Sequence, residues 1–277
     1  MTSASIHVPL DGTLHATAAL PVARALAQLE GATVHIVHIG EPAVPAKAVL
    51  EKVGLTPEQL HGCVLDQAAG PPAARIVHLA AEHGSALIVL CTHTATTEAR
   101  GALGRVAEAV LRDATCPIVL VQPERGPKPW VLRKILLPHD GTPTTAAAVS
   151  TAADLAFRAN AELLVLHVAE PRARGPTEPG TFITPRYVDQ PQHEWSSWAS
   201  EFLERLVALG HCPATVRLRL LLCTGDPGAE TVRAMKEHDC DLVVLGWRGR
   251  MAPERAVTMQ TVIREGSCPM LVLRVEP

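Results

Sequence analysis

A duplication is the feature that most narrows what this chain can fold into. At one constant offset Pro9, Asp11, Gly12, Thr13, Ala18, Ala23, Leu26, His38 and Pro42 recur as Pro138, Asp140, Gly141, Thr142, Ala147, Ala152, Leu155, His167 and Pro171. After an insertion in the second half the offset lengthens, and Gly70, Pro72, His83, Leu87, Val89 and Leu90 recur as Gly225, Pro227, His238, Leu242, Val244 and Leu245. It shortens slightly before Cys116-Pro117 and Cys268-Pro269. Solenoid repeats recur every ~20–50 residues, so a repeat this long is a duplicated domain. The chain divides into residues 1–122, a stiff linker at 123–131 holding Pro123, Pro127 and Pro129, and residues 132–277. Each half is long enough to bury its own core.

Within each half, strand and helix alternate. The first half predicts strands at 4–10, 33–39, 62–67, 86–91 and 117–121, with helices from Thr13 to Glu30, Pro45 to Val53, Pro71 to His83 and 104 to 113. The second predicts strands at 133–138, 162–168, 215–222, 241–245 and 269–274, with helices at 142–159, 192–209, 227–238 and 256–265 and an irregular Pro-rich insertion at 171–191. Thr13 and Thr142 are N-cap residues, and Pro143 suits a first helical turn. The strands are apolar runs rather than alternating ones. That argues an α/β fold with a parallel sheet and right-handed crossovers. Aromatic residues make only 3% of the chain against 47% hydrophobic, so Ala, Val, Leu and Ile must fill the cores. Trp195, Trp198, Phe202, Leu206 and Leu209 recur at helical spacing and read as packing.

A net charge of −3 offers no field for a polyphosphate backbone, so nucleic acid is not expected as a partner. No apolar stretch approaches the ~20 residues of a membrane span, and the N-terminus lacks the pattern of a secretory signal; a cytoplasmic protein with no membrane partner is expected. Seven cysteines without CxxC spacing indicate neither a disulfide framework nor a zinc ribbon. Cys91 alone stands where a thiol could meet a ligand.

In an open parallel sheet with strand order 3-2-1-4-5, ligands bind outside the carboxyl ends of the strands where the order reverses, between the first and fourth. In the second half the facing loops are then Asp140-Gly141-Thr142 and Gly246-Trp247-Arg248-Gly249-Arg250. Gly246 and Gly249 let backbone N–H groups turn toward an anion, and a helix N-terminus near Ala256-Val257 adds partial positive charge. Arg248 and Arg250 can pair with phosphate oxygens, while the Asp140 carboxylate suits a ribose hydroxyl or base amino group. His93 and His139 stand near the two crevices, and the repeated His38 and His167 read as structural. His35 and His38 point to opposite faces of one strand and cannot ligate one ion, and no metal site is expected.

The ordered set Pro-x-Asp-Gly-Thr, His-Val-x-Glu-Pro (His167 to Pro171), Gly-Asp-Pro (Gly225 to Pro227), Gly-Trp-Arg-Gly-Arg and Cys-Pro-Met-Leu-Val-Leu resembles the universal stress protein family in its tandem two-domain form. The resemblance implies two Rossmann-like domains of the adenine nucleotide alpha hydrolase type, each a five-stranded parallel sheet of order 3-2-1-4-5 with helices on both faces. It also implies stress-linked expression, association through the last strands (a pseudo-dimer within the chain or a homodimer), and in many members ATP, with Mg only as the companion of ATP. The family's nucleotide signature is Gly-x-x-Gly, nine residues, then Gly-Ser or Gly-Thr. The second half keeps Gly246 and Gly249 but has a shorter loop and Ala256-Val257 where Gly-Ser is expected. The first keeps the spacing and Gly104 but reads Cys91-Thr92-His93-Thr94 and has Arg105 in place of Ser. The family's roles therefore carry over to Asp140, Val168, Gly246 and Gly249, and less fully to Asp11, Ile39 and Gly104.

Two functions compete on this reading. One is a stress regulator binding ATP or a related adenine nucleotide in its second domain. The other is an interaction module of the same fold that binds protein partners and no nucleotide. Catalysis has no motif: the Asp-Gly-Thr loops carry Pro9 and Pro138 where a phosphatase of the haloacid-dehalogenase type has its nucleophile, and weak ATP hydrolysis is the sole enzymatic alternative.

Overall fold

A computed structural model describes residues 4–40, 44–93, 103–169, 191–210, 212–213, 215–247 and 257–274. By contacts it falls into two compact units, the first from Met1–Val131 and Ile263–Arg274 and the second mainly from Leu132–Arg248. The predicted sites Arg248, Gly249, Arg250 and Ala256 and the insertion at 171–190 lie outside the described residues.

The first unit runs β1 (Ser5–Pro9), a 3-10 turn (His15–Ala18), α1 (Ala19–Glu30), β2 (Thr33–Ile39), α2 (Ala46–Lys52), α3 (Pro57–Leu60), β3 (Cys63–Ala68), α4 (Pro72–Glu82), β4 (Leu87–Cys91), α5 (Arg105–Asp113) and β5 (Ile118–Val121). Its strands stand in the order β3-β2-β1-β4-β5, all parallel. From β1 the chain steps outward one way to β2 and β3, then returns to β4 and β5 on the other side. Right-handed crossovers put the helices of the two excursions on opposite faces of the sheet.

The second unit runs β6 (Lys134–Pro138), α6 (Pro143–Ala159), β7 (Glu162–Ala169), α7 (Pro191–Gly210), β8 (Arg217–Thr224), α8 (Pro227–Glu237), β9 (Leu242–Trp247) and α9 (Val257–Glu265). Its strands repeat the order as β8-β7-β6-β9, again parallel. The last strand, β10 (Met270–Arg274), belongs by contacts to the first unit, where it runs antiparallel to β5 with Leu271 opposite Val119.

Both sheets are cored by branched aliphatic side chains, Ile6, Val8, Ile36 and Ile88 in the first unit and Ile135, Leu137, Leu163 and Val243 in the second. Small residues on the covering helices, Ala23 on α1 and Ala148, Ala152 and Ala156 on α6, let the helices lie close to those strands. The two first helices end alike, Gly31 and Asn160 taking the left-handed C-cap at φ 63° and 50°. These are the residue types that tolerate it.

Three local features differ from the sequence expectation. The first helix starts at Ala19 behind a 3-10 turn instead of at Thr13, because the Thr17 N–H and hydroxyl both donate to the Leu14 carbonyl. In the second half Pro143 occupies the first helical turn and Thr142 accepts from the Thr145 N–H, so α6 begins at once. The short α3 was not expected; Thr56 and Gln59 close it with a reciprocal capping box. Gly246 was expected to open a loop, yet it lies inside β9, which runs on to Trp247.

Candidate functional site

Each first strand ends in the same device. Gly12 and Gly141 take φ of 85° and 84°, which L side chains rarely adopt. This turn folds each aspartate back over the following threonine. Asp11 Oδ1 accepts from the Thr13 N–H at 2.9 Å and the Thr13 hydroxyl at 2.7 Å. Asp140 Oδ1 accepts from the same two groups of Thr142 at the same distances, and also from the Thr145 hydroxyl at 2.7 Å. Burial works to raise the Asp140 carboxyl, but the bonds from Thr142 and Thr145 and the neighbouring His139 outweigh it and hold it below its ordinary value. Asp140 is thus an ionised acceptor whose described hydrogen bonds all fall on Oδ1.

The repeated histidines buttress these turns. His38 Nδ1 donates to the Leu10 carbonyl at 2.8 Å, and His167 Nδ1 donates to the equivalent His139 carbonyl at 2.9 Å. Both are buried and structural, as the repeat implies. His139 is buried too, and its Nδ1 accepts from the Gly141 N–H at 2.9 Å. Its ring meets Phe202 of α7 edge-on at 5.4 Å. Burial pushes His139 down to about 4, so it is neutral and serves the turn instead of facing a ligand.

In the first unit the carboxyl ends of β1, β2 and β4 surround a cleft of about 670 Å³. That lies within the range of small-molecule sites, ~300–1,000 Å³. Leu10, Val37, Ile39, Ile76 and Leu90 line its apolar part. Asp11, Thr92, His93 and the start of α5 at Gly104 and Arg105 supply its polar part. The three weaker sequence candidates, Asp11, Ile39 and Gly104, therefore meet in one cavity. A Cβ on Gly104 would stand 3.3 Å from the Thr92 carbonyl oxygen, so the absence of a side chain lets α5 approach the β4 loop. Among the described residues no side chain caps the N-terminus of α5, which leaves its first N–H groups and Arg105 to meet an anion. Cys91 also lines the cleft, but burial pushes its thiol up to about 12 and its Sγ donates to the His15 carbonyl at 3.2 Å. It is no nucleophile at neutral pH.

In the second unit β6 and β9 pair with Leu136 opposite Val243, and continuing that register brings Asp140 level with Trp247. Asp140 and Gly246 thus emerge at the same end of adjacent strands. Val168 lies near the end of β7, opposite Cys223, and Val257 is the exposed first residue of α9. The Trp247 side chain is 7% exposed, and its indole N–H has no acceptor among the described residues.

A second constellation lies toward the other end of the first sheet and has no counterpart among the sequence candidates. His7 on β1, His35 on β2, Asp66 on β3 and His83 after α4 each offer a donor atom within 4.8 Å of the others, an arrangement able to hold a metal ion. In the sequence His7, His35 and Asp66 signal themselves as polar residues inside apolar strands of one half only, while His83 follows α4 and recurs as His238.

A sequence model of the Universal stress protein family matches residues 4–122 and 132–274. No curated protein matches the chain. Among solved structures, a functionally unknown protein of Pseudomonas aeruginosa is 18% identical, with a TM-score of 0.69 over 98% of this chain and 92% of that one. A universal stress protein of Archaeoglobus fulgidus is 15% identical, with a TM-score of 0.65 over 99% of both chains. A structure described as a putative universal stress protein, also from Pseudomonas aeruginosa, is 18% identical, with a TM-score of 0.68 over 98% and 93%. At these identities the likeness is one of fold. No helix among the described residues is long and apolar enough to cross a membrane.

Proposed function

The chain belongs to the universal stress protein family, and on that premise we propose that it is a stress-response protein that binds an adenine nucleotide where the strand order of its sheets reverses. The observation that carries this is the first-unit cleft, which joins an apolar floor to an acceptor carboxylate and a helix N-terminus that no described side chain caps. The base and ribose lie against Ile39 and Leu90, the Asp11 carboxylate accepts from a ribose hydroxyl or the exocyclic amine, and the phosphate meets Arg105 and the first N–H groups of α5. Cys91 and Thr94 replace the glycines that would wrap a polyphosphate, so this cleft favours a nucleotide with few phosphates over a triphosphate.

A second reading places the nucleotide in the second unit. Two observations favour it: the ionised, pre-oriented Asp140 carboxylate and the buried indole N–H of Trp247, which has no acceptor among the described residues. Calorimetric titration of the full chain with AMP and with ATP and Mg, repeated for Asp11→Ala and Asp140→Ala, separates the two. The first reading expects Asp11→Ala to weaken binding at least tenfold, about 1.4 kcal/mol, and Asp140→Ala to leave it unchanged. The opposite pattern assigns the site to the second unit. No heat at millimolar nucleotide overturns both readings and leaves the interaction module.

A further inference from the structure

The cluster of His7, His35, Asp66 and His83 is independent of the nucleotide cleft. His7 stands four residues before Asp11 on the strand and turn they share, about 13 Å along the chain at strand spacing. Register explains how four residues so distant in sequence meet. His7 and His35 are paired partners on adjacent strands and so share a face. Asp66 is paired with Val37, two residues beyond His35, and shares that face too. The turn after α4 brings His83 over them. The three rings lie with centroids 5.1 to 5.2 Å apart.

The fold does not require this polarity, and the duplication supplies the comparison. The positions equivalent to His7, His35 and Asp66 in the second half are Leu136, Leu164 and Leu221, with Leu136 and Leu164 fully buried. Only the last member is kept, as His238. Burying polar groups where leucine serves the same sheet is costly unless they are satisfied.

Hydrogen bonding orients the donors. The Ser85 hydroxyl has one proton and two carbonyls in reach, those of Leu87 at 2.9 Å and Ser5 at 3.2 Å. Its oxygen therefore accepts from the His7 Nδ1–H, 2.9 Å away. That leaves the His7 Nε2 lone pair directed at His83 Nδ1, 3.0 Å away. His35 Nδ1 and Asp66 Oδ2 are 2.8 Å apart, and His83 Nδ1 and Asp66 Oδ2 are 4.0 Å apart. A tetrahedral ion with bonds of ~2.0–2.1 Å sets its ligands about 3.3 Å from one another, and these three separations bracket that value. The side chains of His35, Asp66 and His83 are 18%, 23% and 30% exposed, which opens a path for an ion from solvent. The bond to Ser85 is the outer contact that fixes a ligating histidine.

We propose that His7, His35, His83 and Asp66 form a closed tetrahedral site for a divalent zinc-class cation, tying β1, β2 and β3 to the end of α4. Three imidazoles and one carboxylate suit zinc over calcium or magnesium, which take oxygen ligands in larger shells.

The test strips the full chain with a chelator and titrates it with Zn2+ in competition with a chromophoric chelator, and in parallel with Co2+. One Zn2+ per chain and the intense d–d absorption of tetrahedral Co2+, without thiolate charge transfer, are expected. His35→Leu, which installs the residue found in the second half, should weaken Zn2+ binding at least a hundredfold, and His83→Asn at least tenfold. His238→Ala should leave binding unchanged. Because His83 is the most exposed ligand, its variant reports even where His35→Leu does not fold. A thiolate band would put the ion on cysteines and overturn the assignment. So would Zn2+ binding that is absent, or that is unchanged in the folded variants.

Discussion

Lowering the pH should loosen the second unit through His139. Its ring is buried among the Asp140 turn, His167 and Phe202, and its Nδ1 accepts from the Gly141 N–H. Burial lowers its pKa from 6.5 to about 4; Asp140 opposes that and His167 adds to it. The folded value lies below the unfolded one, so the contribution is complete above pH 6.5 and is lost as pH falls from 6.5 toward 4. Linkage between these values gives a loss from His139 of about 2 kcal/mol between pH 7 and pH 5. Replacement by asparagine keeps an acceptor near Nδ1 and removes the titration. Urea unfolding followed by tryptophan fluorescence suits the measurement, because Trp195, Trp198 and Trp247 are in the second half and Trp130 alone is not. The wild type should lose about 2 kcal/mol more than His139→Asn over this range. Equal losses would refute the reasoning.

Three further outcomes follow from the packing. Phe202→Ala empties a fully buried aromatic site against His139 and His167 and should cost the second unit about 3–5 kcal/mol by the same unfolding assay. Asp226→Ala removes the acceptor for the Ala229 N–H at the start of α8 and should cost about 1 kcal/mol in chemical unfolding. Cys91 should resist iodoacetamide in the folded protein at pH 8 and react only after denaturation, as mass spectrometry of the digested chain would report.

The architecture was legible because its signals are local. Apolar runs of strand length, glycines in the two Asp-Gly-Thr turns and the doubled motif order all survive in a linear reading, and the His38 and His167 pair was recognisable as structural from its repetition. What was not legible depends on pairing between distant segments. His7 and Asp66 become neighbours only through the register of three strands, so a search for close ligand spacing passes over them. The first-half loop reads as degenerate because its glycines are gone. In the structure Gly104, through its close approach to Thr92, places the start of α5 and Arg105 at the cleft instead. Gly246 was misplaced because a glycine beside an apolar run signals a turn, whereas β9 continues through it to bury Trp247.

The central claim is that a nucleotide lies where the strand order reverses, first of all in the first unit. Photolabelling the full chain with 8-azido-AMP and sequencing the modified peptides tests it directly. The account predicts labelling that excess AMP suppresses, on peptides spanning the end of β1, the end of β4 or the start of α5. Labelling that AMP does not suppress, or that falls on peptides away from the strand ends of either unit, would contradict it.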